Sequence, residues 1–287
     1  METYKTIKQG ERGAWLSIIA YIILSAIKLA AGTISGSQAL FADGLNNSTD
    51  IVASIAVLAG LKISRKPPDS NHGYGHFRAE TVASLVASLI MIIVGFQVLY
   101  QGINKFAQPS HVAPDLYAAW TAAGCAIIMY LVYLYNRKLA GQINSSAMHA
   151  VAQDNRSDAM VSIGAFIGIM GSQFGIPWLD PLTATVVGLL ICKTAWDIFR
   201  KATHDLTDGF DADKLEEMKN TVAEVDGVQS IKDIKARIHG NIVLVDTTVL
   251  VDPSLNVVQS HDITEEIEEQ LMKQHQVSNV HVHIEPL

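Results

Sequence analysis

Four polar side chains in this sequence stand where polar side chains are costly. Asn46 and Asp50 lie four positions apart inside one apolar stretch, and Asp154 and Asp158 repeat the spacing inside another. Residues i and i+4 share a helix face, one turn apart, so each pair offers two oxygen-bearing groups to the same side of its helix. Two such helices packed side by side could bring four of these groups to one point. That arrangement is a cage for a divalent cation, built without sulfur or imidazole. The plainer alternative is that these groups only bond to neighbouring helices. Ionisable residues inside a span mark function by default, however, and two matched pairs strengthen the case. Asp43 and Asn47 do not share the face of their pair and are expected to pack or to line. Gly164 and Gly168, again four apart, predict a close approach of helices.

The stretches that carry these residues are long enough to cross a bilayer. The chain has 287 residues, 49% of them hydrophobic and 17% charged, whereas about 25% are charged in a soluble domain. A span takes about 20 mostly apolar residues. Six stretches qualify, near 13–34, 39–61, 80–103, 116–136, 147–171 and 178–199. Basic residues gather on one side of them. Lys5, Lys8 and Arg12 precede the first, Lys62, Arg65, Lys66 and Arg78 follow the second, Arg137 and Lys138 follow the fourth, and Arg200 and Lys201 follow the sixth. The opposite connections carry only Lys105. Basic loops stay in the cytoplasm, so both termini are expected there, in a multi-pass protein of the cell's inner (plasma) membrane. Cys125 and Cys192 both fall in apolar runs and read as small buried hydrophobes.

Composition changes near His204. From there to Leu287 the chain has 17 acidic and 6 basic residues, and before it 11 acidic and 15 basic. The expected division is a membrane domain over 1–203 and a cytoplasmic domain over 204–287, and no nucleic-acid partner is expected. In the tail, Asp211–Glu224 has a helical pattern, and Val228–Ile238 and Ile242–Val251 alternate like strands around a turn at His239-Gly240-Asn241. Val257–Gln274 reads as an acidic amphipathic helix and Val277–Ile284 as a last strand. The predicted fold class is therefore an α-helical membrane protein with six transmembrane helices, plus a C-terminal α+β domain of order αββαβ.

Three features, in this order along nearly the whole chain, resemble the cation diffusion facilitator family. They are the segments Asp43-Gly44-Leu45-Asn46-Asn47-Ser48-Thr49-Asp50 and Asp154-Asn155-Arg156-Ser157-Asp158, the loop from Pro68 through His72-Gly73-Tyr74-Gly75-His76 to Glu80, and the αββαβ tail ending His283-Ile284-Glu285-Pro286. The resemblance implies a homodimeric antiporter that exports divalent transition-metal ions from the cytoplasm in exchange for protons. It implies a metallochaperone-like tail, the metal as substrate, and no cofactor.

Zinc members of that family place two Asp on span two and a His and an Asp on span five. Asn46 stands here for the first Asp and Asp154 for the His, which resembles the manganese-type branch. Oxygen ligands suit Mn²⁺, whereas zinc sites favour His and Cys, so Mn²⁺ is favoured and Zn²⁺, Fe²⁺ or Co²⁺ is the alternative. By the same resemblance Asp69, His72 and His76 form a second, loop metal site. His261, His283 and Glu285 match metal positions in the tail, but Lys232 and Thr248 stand where two further His would be. The tail then either binds metal weakly or acts chiefly in dimerisation. Arg78 and Asp208 match a charge interlock near the dimer axis, expected to be partly shielded from solvent. Two remoter readings are a membrane-embedded metal-dependent enzyme and a metal sensor. An enzyme of the prenyltransferase kind would want more spans and more basic residues beside the acidic motifs than Arg156 alone.

Overall fold

The structure is a computed structural model that describes residues 2–64, 66–107, 113–143, 146–240 and 242–287. Six long helices come first: α1 (Glu2–Ser35), α2 (Gln38–Ser64), α3 (Ala79–Ala107), α4 (Leu116–Ile143), α5 (Ser146–Gln173) and α6 (Leu179–Leu206). All six overrun the spans read from hydropathy, because the apolar run marks the bilayer and not the end of the hydrogen-bond ladder. Within α1, α3, α4 and α6 lie stretches long and apolar enough to cross a membrane. In α2 and α5 the apolar run is diluted by the polar pairs themselves. The molecule is a six-span helical membrane protein with a C-terminal α+β domain.

By contacts the chain forms two compact units. The first is Met1–Ile55 with Ala87–Asp197. Small residues set its packing: Ala39, Ala118, Ala119, Ala122 and Ala165 are buried together with Leu40 and Ile169 and join α2, α4 and α5. Gly168 lies so close to α6 that an added Cβ would strike Thr183, whereas at Gly164 the nearest atom would be 4.0 Å away; of the glycine pair, Gly168 alone makes the close approach expected. The turn from α1 into α2 passes through Gly36 at φ 72°. Asp180 of α6 then caps α2. Ser37 Oγ and the Gln38 amide donate to it at 2.6 and 2.7 Å, which satisfies donors that a helix start leaves free.

The second unit is Ala56–Val86 with Ile198–Leu287. Its tail follows the expected order: α7 (Ala212–Ala223), β1 (Ser230–His239), β2 (Ile242–Val251), α8 (Val257–His275) and β3 (Asn279–Pro286). Asp211 caps α7, and Asn256 with Gln259 forms a capping box on α8. The sheet order is β1-β2-β3, antiparallel between β1 and β2 and parallel between β2 and β3. On β2 the residues Val245, Thr247, Val249 and Val251 are buried in alternation, as a half-covered strand requires. The three valines meet Met218 and Val222 of α7 and Ile267 and Leu271 of α8 in one core. The hairpin turn passes through Gly240 at φ 70°; Asn241, the third residue expected in that turn, lies outside the described residues.

Candidate metal centre

The two polar pairs meet. Asn46 Nδ2 on α2 donates to Asp158 Oδ1 on α5 at 3.0 Å and reaches Asp50 Oδ2 on its own helix at 3.5 Å. All four residues line one cavity of about 620 Å³ between α2, α3, α5 and α6, together with Thr49 and Arg156. Asp158 is buried and Asp154 is open to the cavity. The α-helical periodicity thus brings two carboxylates of α5, one carboxylate of α2 and one amide into one polar cleft. In this arrangement Asn46 presents its donor side to the carboxylates. Turned over about its last torsion, the same amide presents a carbonyl oxygen, the side a cation would require.

The third partner was not read from the sequence. Tyr21 of α1 is 4% exposed, and its hydroxyl oxygen lies 2.8 Å from Asp158 Oδ2, 3.1 Å from Asp154 Oδ2 and 3.1 Å from Asn155 Oδ1. Asn155 in turn donates to Ser17 Oγ at 3.0 Å, and Asn136 of α4 donates to the same oxygen at 2.8 Å. Further along α1, Lys28 Nζ donates to Asp43 Oδ1 at 2.9 Å, Asn47 Oδ1 at 2.5 Å and Ser162 Oγ at 2.9 Å. Ser162 Oγ donates onward to the carbonyl of Asp158 at 3.0 Å. Asp43 and Asn47 thus bond a buried ammonium and are not among the residues that line the cleft. Ser17, Tyr21, Ser25 and Lys28 follow helical spacing, so α1 turns one continuous polar stripe toward α2 and α5. The signal was present in the sequence, since Lys28 is an ionisable residue inside the first span.

The loop before α3 assembles a second group. Asp69, His72 and His76 offer ligand atoms that all lie within 4.8 Å of one another. Asp69 Oδ1 accepts from the amides of Asn71 and His72 at 2.9 and 2.8 Å and lies 3.2 Å from His72 Nδ1; its Oδ2 lies 3.5 Å from His76 Nε2. The Asn71 amide first, with help from His72, holds the Asp69 carboxyl below the usual carboxylate range. His76 Nδ1 is buried and unbonded among the described residues.

In the tail the expected ligands are not gathered within one chain. His261 on α8 pairs with Glu265 at 3.3 Å, while His283 and Glu285 sit on β3 with 3.7 Å between them. Lys232 occupies the Glu285 carboxylate, with Nζ 2.9 and 2.6 Å from its two oxygens. That ammonium also holds the Glu285 carboxyl below its ordinary range. The cation beside Glu285 is thus the ammonium of Lys232.

Comparison with known proteins adds to this geometry. Residues 14–207 match the profile of the cation efflux transmembrane domain, and residues 210–287 match that of the cation efflux protein cytoplasmic domain. The manganese efflux system protein MneS of Bacillus subtilis is 55% identical over 287 residues, covering 100% of this chain and 99% of that protein. The transporter YdbO of the same organism, of uncharacterised function, is 53% identical over 286 residues, with 100% and 99% covered. The manganese efflux system protein MneP, also from Bacillus subtilis, is 34% identical over 282 residues and covers 95% of each chain.

Proposed function

The chain belongs to the cation efflux family, and we propose that it exports Mn²⁺ from the cytoplasm in exchange for protons. The observation that carries the choice of ion is the donor set of the cleft, namely Asn46, Asp50, Asp154 and Asp158, which offers oxygen and neither imidazole nor thiolate. Carboxylate and carbonyl oxygens suit Mn²⁺, whereas zinc sites draw on His and Cys. The names of MneS and MneP support the same ion. We read both termini as cytoplasmic, the membrane as the inner membrane, residues 1–203 as the transport domain and residues 204–287 as a cytoplasmic dimerisation domain. The homodimer rests on the family of that domain. The enzyme reading falls away, because the family and the named relatives are transporters.

Proton exchange follows from hydrogen-bond accounting at Tyr21. A phenol has one proton, yet its oxygen has carboxyl or amide oxygens at hydrogen-bond distance on three sides. Tyr21 donates in one of those contacts only. The others close when Asp154 and Asp158 bring protons of their own. An entering divalent cation takes the same lone pairs, so its arrival expels protons and its departure admits them. The loop group Asp69, His72 and His76 is accessory to this centre, a capture point on the cytoplasmic side.

Purified protein in liposomes with a metal-sensitive dye inside tests the reading. Mn²⁺ entry should exceed that of Zn²⁺, Fe²⁺, Co²⁺ and Cd²⁺ and should alkalinise the lumen. Asp50→Ala and Asp158→Ala should each abolish it while the protein remains a folded dimer. A variant of either kind that transports at the wild-type rate ends the assignment of the centre. Zn²⁺ entry faster than Mn²⁺ entry ends the assignment of the ion.

A further inference from the structure

The buried hydroxyl of Tyr21 belongs to no ligand set, yet it touches both carboxylates of α5. We propose that Tyr21 is a positioning residue of the metal-free centre: it holds Asp154 and Asp158 together while the protein returns without an ion. The inference rests on the four-residue centre proposed above.

Three observations carry it. First, Tyr21 is held independently of the carboxylates. Its ring packs among Ala20, Leu24, Cys125, Met129, Val132 and Ala159, so α4 and α5 fix where the oxygen sits. Second, the oxygen is anchored at its back through Asn155, whose amide donates to Ser17, and Ser17 also accepts from Asn136 on α4. A side chain with few torsions, packed on all sides, keeps its hydroxyl in place whether or not an ion is near. Third, the two carboxyls it bridges lie one helical turn apart on the same face of α5, and among the described residues the Tyr21 hydroxyl is the side chain seen bonded to both.

The consequence is kinetic. With an ion bound, the cation itself gathers the carboxylates and the phenol adds little. Without an ion, the phenol supplies the bridge. An interaction made chiefly in the empty state stabilises that state against the loaded one, and so lowers apparent metal affinity while easing release and return. Tyr21 thus sets how readily the centre is emptied, and Asn46, whose amide donates to Asp50 and Asp158, completes the bridge on the α2 side.

Tyr21→Phe keeps the ring and removes the hydroxyl. Mn²⁺ binding to the variant in detergent should tighten about three- to tenfold, the equilibrium worth of one hydrogen bond. In liposomes the ratio of net Mn²⁺ transport to Mn²⁺–Mn²⁺ tracer exchange should fall by a similar factor, since exchange never passes through the empty return. Weaker Mn²⁺ binding, or an unchanged ratio, overturns the proposal. Loss of Mn²⁺ binding in the unmodified protein would instead strike the centre itself, so the two failures are distinguishable. Should Tyr21→Phe fail to fold, Ser17→Ala removes the oxygen that anchors Asn155 behind the hydroxyl. Mn²⁺ binding should again tighten, and unchanged affinity also overturns the proposal.

Discussion

Arg78 Nη2 lies 2.5 Å from Asp208 Oδ1, and the Nε of the same guanidinium donates to His239 Nδ1 at 3.1 Å. One cation thus ties the start of α3 to the end of α6 and to the hairpin of the tail. Asp208 is held at φ 59° just past α6, the left-handed conformation in which helices commonly end. Within the single chain the two side chains are 38% and 52% exposed. Exposed ion pairs contribute at most about 1 kcal/mol. Arg78→Asp should therefore lower the transport rate by no more than about fivefold, and adding Asp208→Arg should restore part of it. Liposome uptake by the two variants measures this, and full activity in Arg78→Asp would leave the pair without a role in transport.

His239 adds a pH dependence to the same junction. Burial first, then Arg78 and Arg237, hold its protonation below the ordinary value of 6.5, with Asp208 opposing them. Its Nδ1 accepts from Arg78 only when the ring is neutral at that nitrogen. The unfolded state then binds more protons than the folded one, so stability from this contact is fully present above about 6.5 and is lost as pH falls through the lower folded value. Amide hydrogen exchange at Tyr74–Arg78, corrected for intrinsic rates, should rise between pH 7 and pH 5 in the intact protein. In His239→Asn the rise should be absent; an equal rise in both would clear His239 of the effect.

Metal choice should move with the donor set. Asn46→Asp combined with Asp154→His places a second carboxylate on α2 and an imidazole on α5, a donor set closer to that of zinc sites. The relative rate of Zn²⁺ over Mn²⁺ should increase at least tenfold, about 1.4 kcal/mol of discrimination. Unchanged relative rates would put selectivity in the walls of the cleft instead of its ligands.

The loop group should matter less than the cleft. Alanine at Asp69, His72 or His76 should raise the Mn²⁺ concentration needed for half-maximal transport and leave the maximal rate within about threefold, the cost of a weakened capture step worth under 1 kcal/mol. Titration of uptake against Mn²⁺ separates the two parameters. Complete loss of transport would make the loop essential.

Lys28 and Asp43 are both wholly buried, and Asp43 Oδ2 and Asn47 Nδ2 are buried without a partner among the described residues. Removing one member of such a pair leaves a bare charge and costs about 3–5 kcal/mol, whereas removing both is far milder. Lys28→Met should unfold well below the unmodified protein in detergent, and Lys28→Met with Asp43→Asn should recover most of the difference. A double variant as unstable as the single one would show that the ammonium serves more than its carboxylate.

The cleft was legible in the sequence because helical spacing and intramembrane polarity are both local signals. Asn46 with Asp50 and Asp154 with Asp158 needed only a period of four and an apolar background. The tail was legible for a similar reason: alternation on β2 and the caps Asp211 and Asn256 are written within a few residues. What could not be read was which face of α1 meets α5. Tyr21 and Ser17 become functional only through partners more than a hundred positions away, and a tyrosine in an apolar run has many uses. Lys232 is a different case. Its position hinted that a metal ligand had been lost, but only the fold shows its ammonium seated on Glu285.

The pairing of Lys28 with Asp43 also bears on how the chain reaches the bilayer. The two residues are 15 positions apart, on helices joined by the tight turn at Gly36, so their contact needs nothing that is synthesised later. Presented to the translocon singly, each charge would cost at most about 2.5–3.5 kcal/mol, the figure for a helix centre; presented as a hairpin, the pair enters neutral. Ser162 and the carboxylates of α5 emerge more than a hundred residues afterwards. The partners that α5 meets in the folded protein, Tyr21, Lys28 and Asn46, thus all belong to the first hairpin and are synthesised before it.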